Sequence, residues 1–188
     1  MTSFNSPLVT SVGQSAFFSC RGLTHVELPL VTFVGYRAFY GASHIASVNM
    51  PLVTRLDGDS FMGCAALTDF NAPGRMLLPT SLLHIGGAVF YQLSGLSGDL
   101  VVPSSVTSVG SKAFYQCTGF YSGYVVENSS ATVSTDAFSG CCTVQPLPSG
   151  MPTGEPSSPS GEPTAWPTGE PTAWPTGEPT NEPSGQPS

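Results

Sequence analysis

With 188 residues, five Lys or Arg against twelve Asp or Glu and a formal charge of −7, the chain has no basic stripe for phosphate contacts, and nucleic acid is a poor candidate partner. No apolar run approaches the ~18 residues of a membrane-spanning helix, so no transmembrane segment is expected. All five cations (Arg21, Arg37, Arg55, Arg75, Lys112) and seven acids lie in residues 1–145, whereas 146–188 carry five glutamates and neither Lys nor Arg.

The first residues, Met1-Thr-Ser-Phe4-Asn-Ser6, have neither the cationic start nor the apolar stretch of a signal peptide. Then comes Pro7-Leu-Val-Thr-Ser-Val-Gly13-Gln-Ser-Ala-Phe17-Phe-Ser-Cys20, the unit from which the chain is built. It returns from Pro29 to Phe39, from Pro51 to Phe61, from Pro79 to Phe90 and from Pro103 to Phe114, and a sixth time from Glu127 to Phe138 with Glu in the Pro position. The step is 22 residues between Phe17, Phe39 and Phe61 and 24 between Phe90, Phe114 and Phe138. A fixed period of this size predicts a solenoid, one coil per repeat, in which each coil buries its apolar side only by stacking on its neighbours.

Each repeat has a second half that ends at the next Pro, as in Leu23-Thr-His-Val26-Glu-Leu28-Pro29 and Leu67-Thr-Asp-Phe70-Asn-Ala72-Pro73. Apolar and polar positions alternate there, the period of a half-buried strand, and Pro closes it because it cannot donate to a ladder. The Val-Thr-Ser-Val-Gly half alternates too and predicts a second short strand. Between the halves, Ala-Phe-x-x-Cys has room for a single helical turn. An insertion shifts the next repeat by six residues, from Pro73 to Pro79. Either Gly74-Arg75 loops out after a normal strand, which we favour, or Met76-Leu77-Leu78 is the strand and residues 68–75 bulge.

Phe17, Phe39, Phe61, Phe90, Phe114 and Phe138 are expected to stack as an internal spine at roughly 5 Å per coil. A second buried row runs through Leu23, Ile45, Leu67, Leu96 and Phe120, six residues after each Phe, and these are expected to open the strands. Gly13, Gly35, Gly86 and Gly110 are expected to supply a turn conformation closed to other residues.

The pattern Pro-x-x-x-x-(Val/Ile)-Gly-x-x-Ala-Phe-x-x-Cys-x-x-Leu-x-x-Val-x-Leu resembles the BspA-like leucine-rich repeat family over residues 1 to about 145. The departures are Ala42 and Leu93 in the Cys column and Asp57 in a Gly position. The resemblance implies a mainly β, right-handed parallel leucine-rich-repeat solenoid of about six coils of 22–24 residues. It also implies a surface-exposed protein that binds protein or glycan. From Leu147 onward Pro-Thr-Gly-Glu-Pro recurs, with Trp166 and Trp174 between copies. The domains are therefore a solenoid over 1–145 and a disordered, Pro/Thr/Gly/Glu-rich stalk or linker over 146–188, too poor in apolar residues to offset the entropy of ordering.

Chemistry is sparse. Cys20, Cys64, Cys117 and Cys141 each follow a spine Phe by three residues and are expected to pack as small buried side chains rather than bind metal or form disulfides. Coils two apart are separated by about 10 Å, too far for a Cys20–Cys64 bridge. Cys142 stands off the column as the thiol to watch. His25, His44 and His84 fall in three different columns, so the solenoid scatters them. Asp57 and Asp59 make too few ligands for calcium. No catalytic residue, cofactor or metal is expected, and the chain is expected not to be an enzyme. Asn128-Ser-Ser is an N-glycosylation sequon that matters only if the chain is secreted.

What remains is the outward side of the strands. Thr24, His25, Glu27, Ser47, Asn49, Thr68, Asp69, Asn71 and Asp99, with Ala46 and Val101, form the candidate binding face of a recognition or adhesion module, the kind of extended surface solenoids use. The alternative is a structural wall or matrix protein with the stack as spacer. The resemblance and the tail composition imply an extracellular or cell-surface location. Aligned on Pro7, residues 1–6 begin at the first residue of a strand, which leads us to expect further repeats upstream or self-association through an uncapped first coil.

Overall fold

The computed structural model describes residues 3–120 and 122–141. The chain separates into two units, Met1–Ser149 and Gly150–Ser188, and the described residues belong to the first. Cys142, Trp166, Trp174 and the tail expectations lie outside them.

Thirteen short strands, β1 to β13 in chain order, and no helix are present among the described residues. Each coil contributes one strand to each of two walls. The first wall is a sheet of β1 (Ser3–Asn5), β3 (His25–Glu27), β5 (Ser47–Asn49) and β7 (Asp69–Ala72), edged by β8 (Arg75–Met76). The same wall resumes as a separate pair, β10 (Leu100–Val102) with β12 (Tyr124–Val126). The second wall is continuous and six-stranded: β2 (Ser11–Val12), β4 (Phe33–Val34), β6 (Arg55–Leu56), β9 (His84–Ile85), β11 (Ser108–Val109) and β13 (Thr132–Val133). Pairing is parallel throughout except for β7 with β8, and equivalent residues face each other, as in Val26 opposite Val48 and Val12 opposite Val34. This is the parallel solenoid of about six coils that the period predicts.

The strands open later than expected. They start at His25, Ser47 and Asp69, two residues past Leu23, Ile45 and Leu67. Those apolar residues instead close the preceding turn, their amides donating to Cys20, Ala42 and Cys64 carbonyls at 3.0–3.2 Å.

No helical turn occupies the Ala-Phe-x-x-Cys segment. Residues two before and two after each of the first five spine Phe take left-handed backbone: Ser15 and Ser19, Arg37 and Gly41, Asp59 and Gly63, Ala88 and Gln92, Lys112 and Gln116. A right-handed helix cannot contain a left-handed residue every fourth position. The segment becomes a third wall, bonded from coil to coil: Arg37 N donates to Gly58 O at 3.1 Å, Phe39 N to Ser60 O at 2.8 Å and Gly41 N to Met62 O at 2.8 Å.

The spine forms as expected, with ring centroids 5.0 Å apart for Phe17–Phe39, 5.1 Å for Phe39–Phe61, 5.8 Å for Phe61–Phe90 and 5.2 Å for the next two steps. Leu23, Ile45, Leu67, Leu96 and Phe120 are buried beside it. The glycines act differently from the expectation. Gly35, Gly86 and Gly110 do not have left-handed backbone; a Cβ at each would stand 2.8, 2.5 and 2.6 Å from a backbone nitrogen of the preceding coil. They are needed for close approach between coils.

Residues 73–79 form a hairpin. β7 is a strand of the ordinary register, Pro73-Gly74 turns, and β8 returns antiparallel, with a bulge at Phe70/Asn71. The favoured reading of this insertion is right in its strand, but Arg75 pairs back in β8 instead of looping out.

Candidate strand-face groove

Six of the nine expected face residues come together. His25 and Glu27 on β3, Ser47 and Asn49 on β5, and Asp69 and Asn71 on β7 line a shallow groove of about 410 Å³ across three coils. Strand alternation sets this up: Val26, Val48 and Phe70 point inward and are buried, so their neighbours point out.

Part of the groove's hydrogen-bonding capacity serves the fold. Asn49 Nδ2 donates to Glu27 Oε1 at 2.6 Å, and Asp69 Oδ1 accepts from Gly74 N at 2.9 Å. Asn71 is the most committed, accepting from Met50 N at 2.5 Å through Oδ1 and donating to Leu77 O at 3.2 Å through Nδ2. Its φ of 57° places it in the left-handed region, which Asn tolerates, at the hairpin bulge. A carboxylate carries about four lone-pair sites, so Glu27 and Asp69 keep acceptor capacity toward a ligand, in a groove that also presents the Asn49 and Asn71 amides and the Ser47 hydroxyl.

The other three residues stand apart. Thr24 and Thr68 precede their strands; Thr24 Oγ1 lies 2.8 Å from His25 Nδ1 and Thr68 Oγ1 donates to Ala46 O at 3.3 Å. Asp99 is beyond the hairpin, in a second cleft with Arg75, Leu77 and Val101. The face is therefore not continuous across six coils, because β8 ends its first sheet.

The histidines are scattered as expected. His84 lies on the second wall against Ser108 Oγ, and burial, then the nearby Arg55 cation, hold its pKa below the ordinary histidine value. Arg55 itself pairs with Asp57 at 2.7 Å. Among the described residues, no group of three or more His, Cys, Asp or Glu is placed to hold a metal ion. Cys64, Cys117 and Cys141 are buried in the column, with Ala42 and Leu93 buried in the same positions. Cys64 and Cys117 donate from Sγ to the Phe39 and Phe90 carbonyls. At the sequon, Asn128 Nδ2, the atom a glycan would take, donates to Val106 O at 2.9 Å.

A feature missing from the sequence analysis is the row directly after the spine Phe. Phe18 and Tyr40 stack at 5.3 Å and Tyr91 and Tyr115 at 5.1 Å, with Met62 in the same column between the pairs. Arg37 lies over the Tyr36 and Tyr40 rings, and its guanidinium also holds Asp59 at 3.1 Å. The signal was the same 22- and 24-residue spacing that revealed the spine. Because these rings turn their faces to each other, they are ribs of the stack rather than platforms for sugars.

A PT disordered repeat matches residues 157–188. No curated protein matches the chain. Among solved structures, a T. pallidum leucine-rich repeat protein is 31% identical with a TM-score of 0.55, over 62% of this chain and 51% of its own. A leucine-rich cell surface protein of Faecalibacterium prausnitzii A2-165 is 25% identical with a TM-score of 0.59, over 72% and 35%. A leucine-rich repeat protein of Bacteroides ovatus ATCC 8483 is 28% identical with a TM-score of 0.55, over 72% and 34%. The chain thus matches about half the length of the first and about a third of the other two. Six copies of the BspA type leucine-rich repeat region match residues 1–120, and the chain belongs to that family.

Proposed function

We propose that the chain is a non-enzymatic recognition module at the cell surface that binds a protein or glycan ligand through the groove of β3, β5 and β7. The observation that carries this is the convergence of six outward polar side chains from three coils on one open groove. A surface location is supported by the F. prausnitzii relative, described as a cell surface protein. The test is an array of surface proteins and glycans probed with the full chain and with Ser47→Arg, which fills the middle of the groove. Ligands captured by the first and lost by the second support the groove; capture indifferent to Ser47→Arg removes it.

Self-association through the first coil is a second proposal, supported by the apolar lining of a cleft in it. Phe4, Phe17, Cys20, Gly22 and Leu23 line an apolar cleft of about 300 Å³ there, beside the edge strands β1 and β2. Sedimentation that stays monomeric over a wide concentration range would count against it.

A further inference from the structure

The insertion at residues 73–79 does more than divide the first wall. It leaves two strand edges on a common cleft. Among the described residues, β8 has a ladder partner only in β7, and β10 only in β12. Between them lies a cleft of about 440 Å³, lined on one side by Arg75, Leu77 and Leu78 and on the other by Asp99, Val101 and Pro103, with Glu127 also on its wall. In an uninterrupted stack β10 would pair with the strand of the coil before it, as β3 pairs with β1. Here the β7–β8 hairpin takes that place, and near its tip Ser97 Oγ donates to Gly74 O at 3.2 Å.

The cleft has a definite chemistry. Leu77 is 47% exposed and Val101 41% exposed, two large apolar side chains on opposite walls. Such contacts are what an apolar side chain of an inserted strand would cover. The charges around them are unequal, with the Asp99 and Glu127 carboxylates against the Arg75 guanidinium. Unpaired strand edges accept an extended segment through main-chain hydrogen bonds, while side-chain pockets and charges choose which one.

We propose that this cleft receives an extended segment of a partner protein, added as a strand to the free edge of β10. An apolar side chain of the segment packs between Leu77 and Val101, and a Lys or Arg faces Asp99 and Glu127. This site is separate from the groove of β3, β5 and β7 and does not depend on it.

The test uses a displayed library of random linear peptides selected on the full chain, followed by synthesis of an enriched peptide. Enriched sequences should alternate apolar residues and carry a cation. N-methylation of one alternate set of peptide amides should weaken binding by about tenfold or more, and N-methylation of the other set should leave it nearly unchanged, because only one set faces the edge. Val101→Arg in the protein should abolish binding while Ser47→Arg does not. The methylated peptides leave the protein untouched, so this result stands even if Val101→Arg unfolds the chain. Absence of enrichment, insensitivity to methylation in both registers, or loss with Ser47→Arg alone would overturn the proposal. Concentration-dependent dimers of the full chain, dispersed by Val101→Arg, would also overturn it by making the occupant a second copy.

Discussion

Phe70 stands edge-on to Phe61, with ring centroids 5.6 Å apart and planes at 89°, and meets Phe90 in the same way at 5.3 Å and 88°. It fills the spine where the coil step lengthens and the Phe61–Phe90 spacing opens to 5.8 Å. Its column holds Val26 and Val48 in the regular coils, but Phe4 at the first strand and Tyr124 at the last strand of the wall. Phe4 packs on Phe17 at 4.9 Å and Tyr124 on Phe138 at 3.9 Å. Aromatic residues thus occupy this column at β1, β7 and β12, whereas β10 holds Leu100 opposite Tyr124.

Phe61 is therefore enclosed on three sides and fully buried. Phe61→Ala should destabilise the solenoid by about 3–5 kcal/mol, a large share of an ordinary domain's stability. Asn49→Ala loses one bond to Glu27 and should cost about 1 kcal/mol. Paired urea titrations give both values; equal losses would mean that the inside and outside of the coil are exchanged.

Two glycines of one column should respond oppositely to the same substitution. A Cβ at Gly110 would meet Gly87 N at 2.6 Å and the Gly86 carbonyl carbon at 2.7 Å, both backbone atoms that cannot swing aside. At Gly13 the same atom meets nothing within 4 Å. Gly110→Ala should cost about 1–3 kcal/mol through forced coil separation, whereas Gly13→Ala should be neutral or slightly stabilising. Thermal unfolding of the two variants checks this, and a sensitive Gly13 would show that its column works through backbone conformation instead.

That column also marks where the sequence was legible and where it was not. Spacing alone identified the coils, the Phe spine and the row at Leu23, Ile45, Leu67, Leu96 and Phe120, because each is a repeated apolar contact. A recurring Gly is compatible with both unusual φ and close approach, and only coil-to-coil distances separate the two. The left-handed positions fell on Ser15, Arg37, Asp59, Ala88 and Lys112, of which only Asp59 is a residue type that favours such backbone. The polar face was legible as alternation, but its division at β8 was not. Antiparallel return of Arg75–Met76 depends on a Pro-Gly turn inside an irregular insertion, where the period offers no guide.

Acid should weaken the second wall through His84. Its folded pKa is lowered, by burial first and by Arg55 next, so the unfolded chain takes up the proton before the folded one does. Stability from this group is present above the ordinary value of 6.5 and declines as pH falls through and below it. The imidazole should titrate by NMR below that value, and His84→Gln should flatten the acid limb of the stability curve. A titration at or above 6.5 would contradict the burial assigned to this ring.

At the alkaline end Cys64 should act with the opposite slope. Burial is the larger influence on its thiol and pushes its pKa from 9.0 up to about 12. Between those values the unfolded chain has released the proton and the folded chain has kept it. Unfolding is then favoured progressively as pH rises from about 9 toward 12. Cys64→Ala removes the titrating group, and the column already accepts Ala at the buried position 42. The variant should lose some stability at neutral pH, through a small cavity and the lost Sγ–H contact to Phe39 O. It should lose less further stability than the parent between pH 9 and 11. Peptide mapping after alkylation at pH 8 gives an independent check, since Cys64 should be modified only on unfolding. Rapid native labelling of Cys64, together with identical alkaline slopes for parent and variant, would show that the thiol is not held in the core.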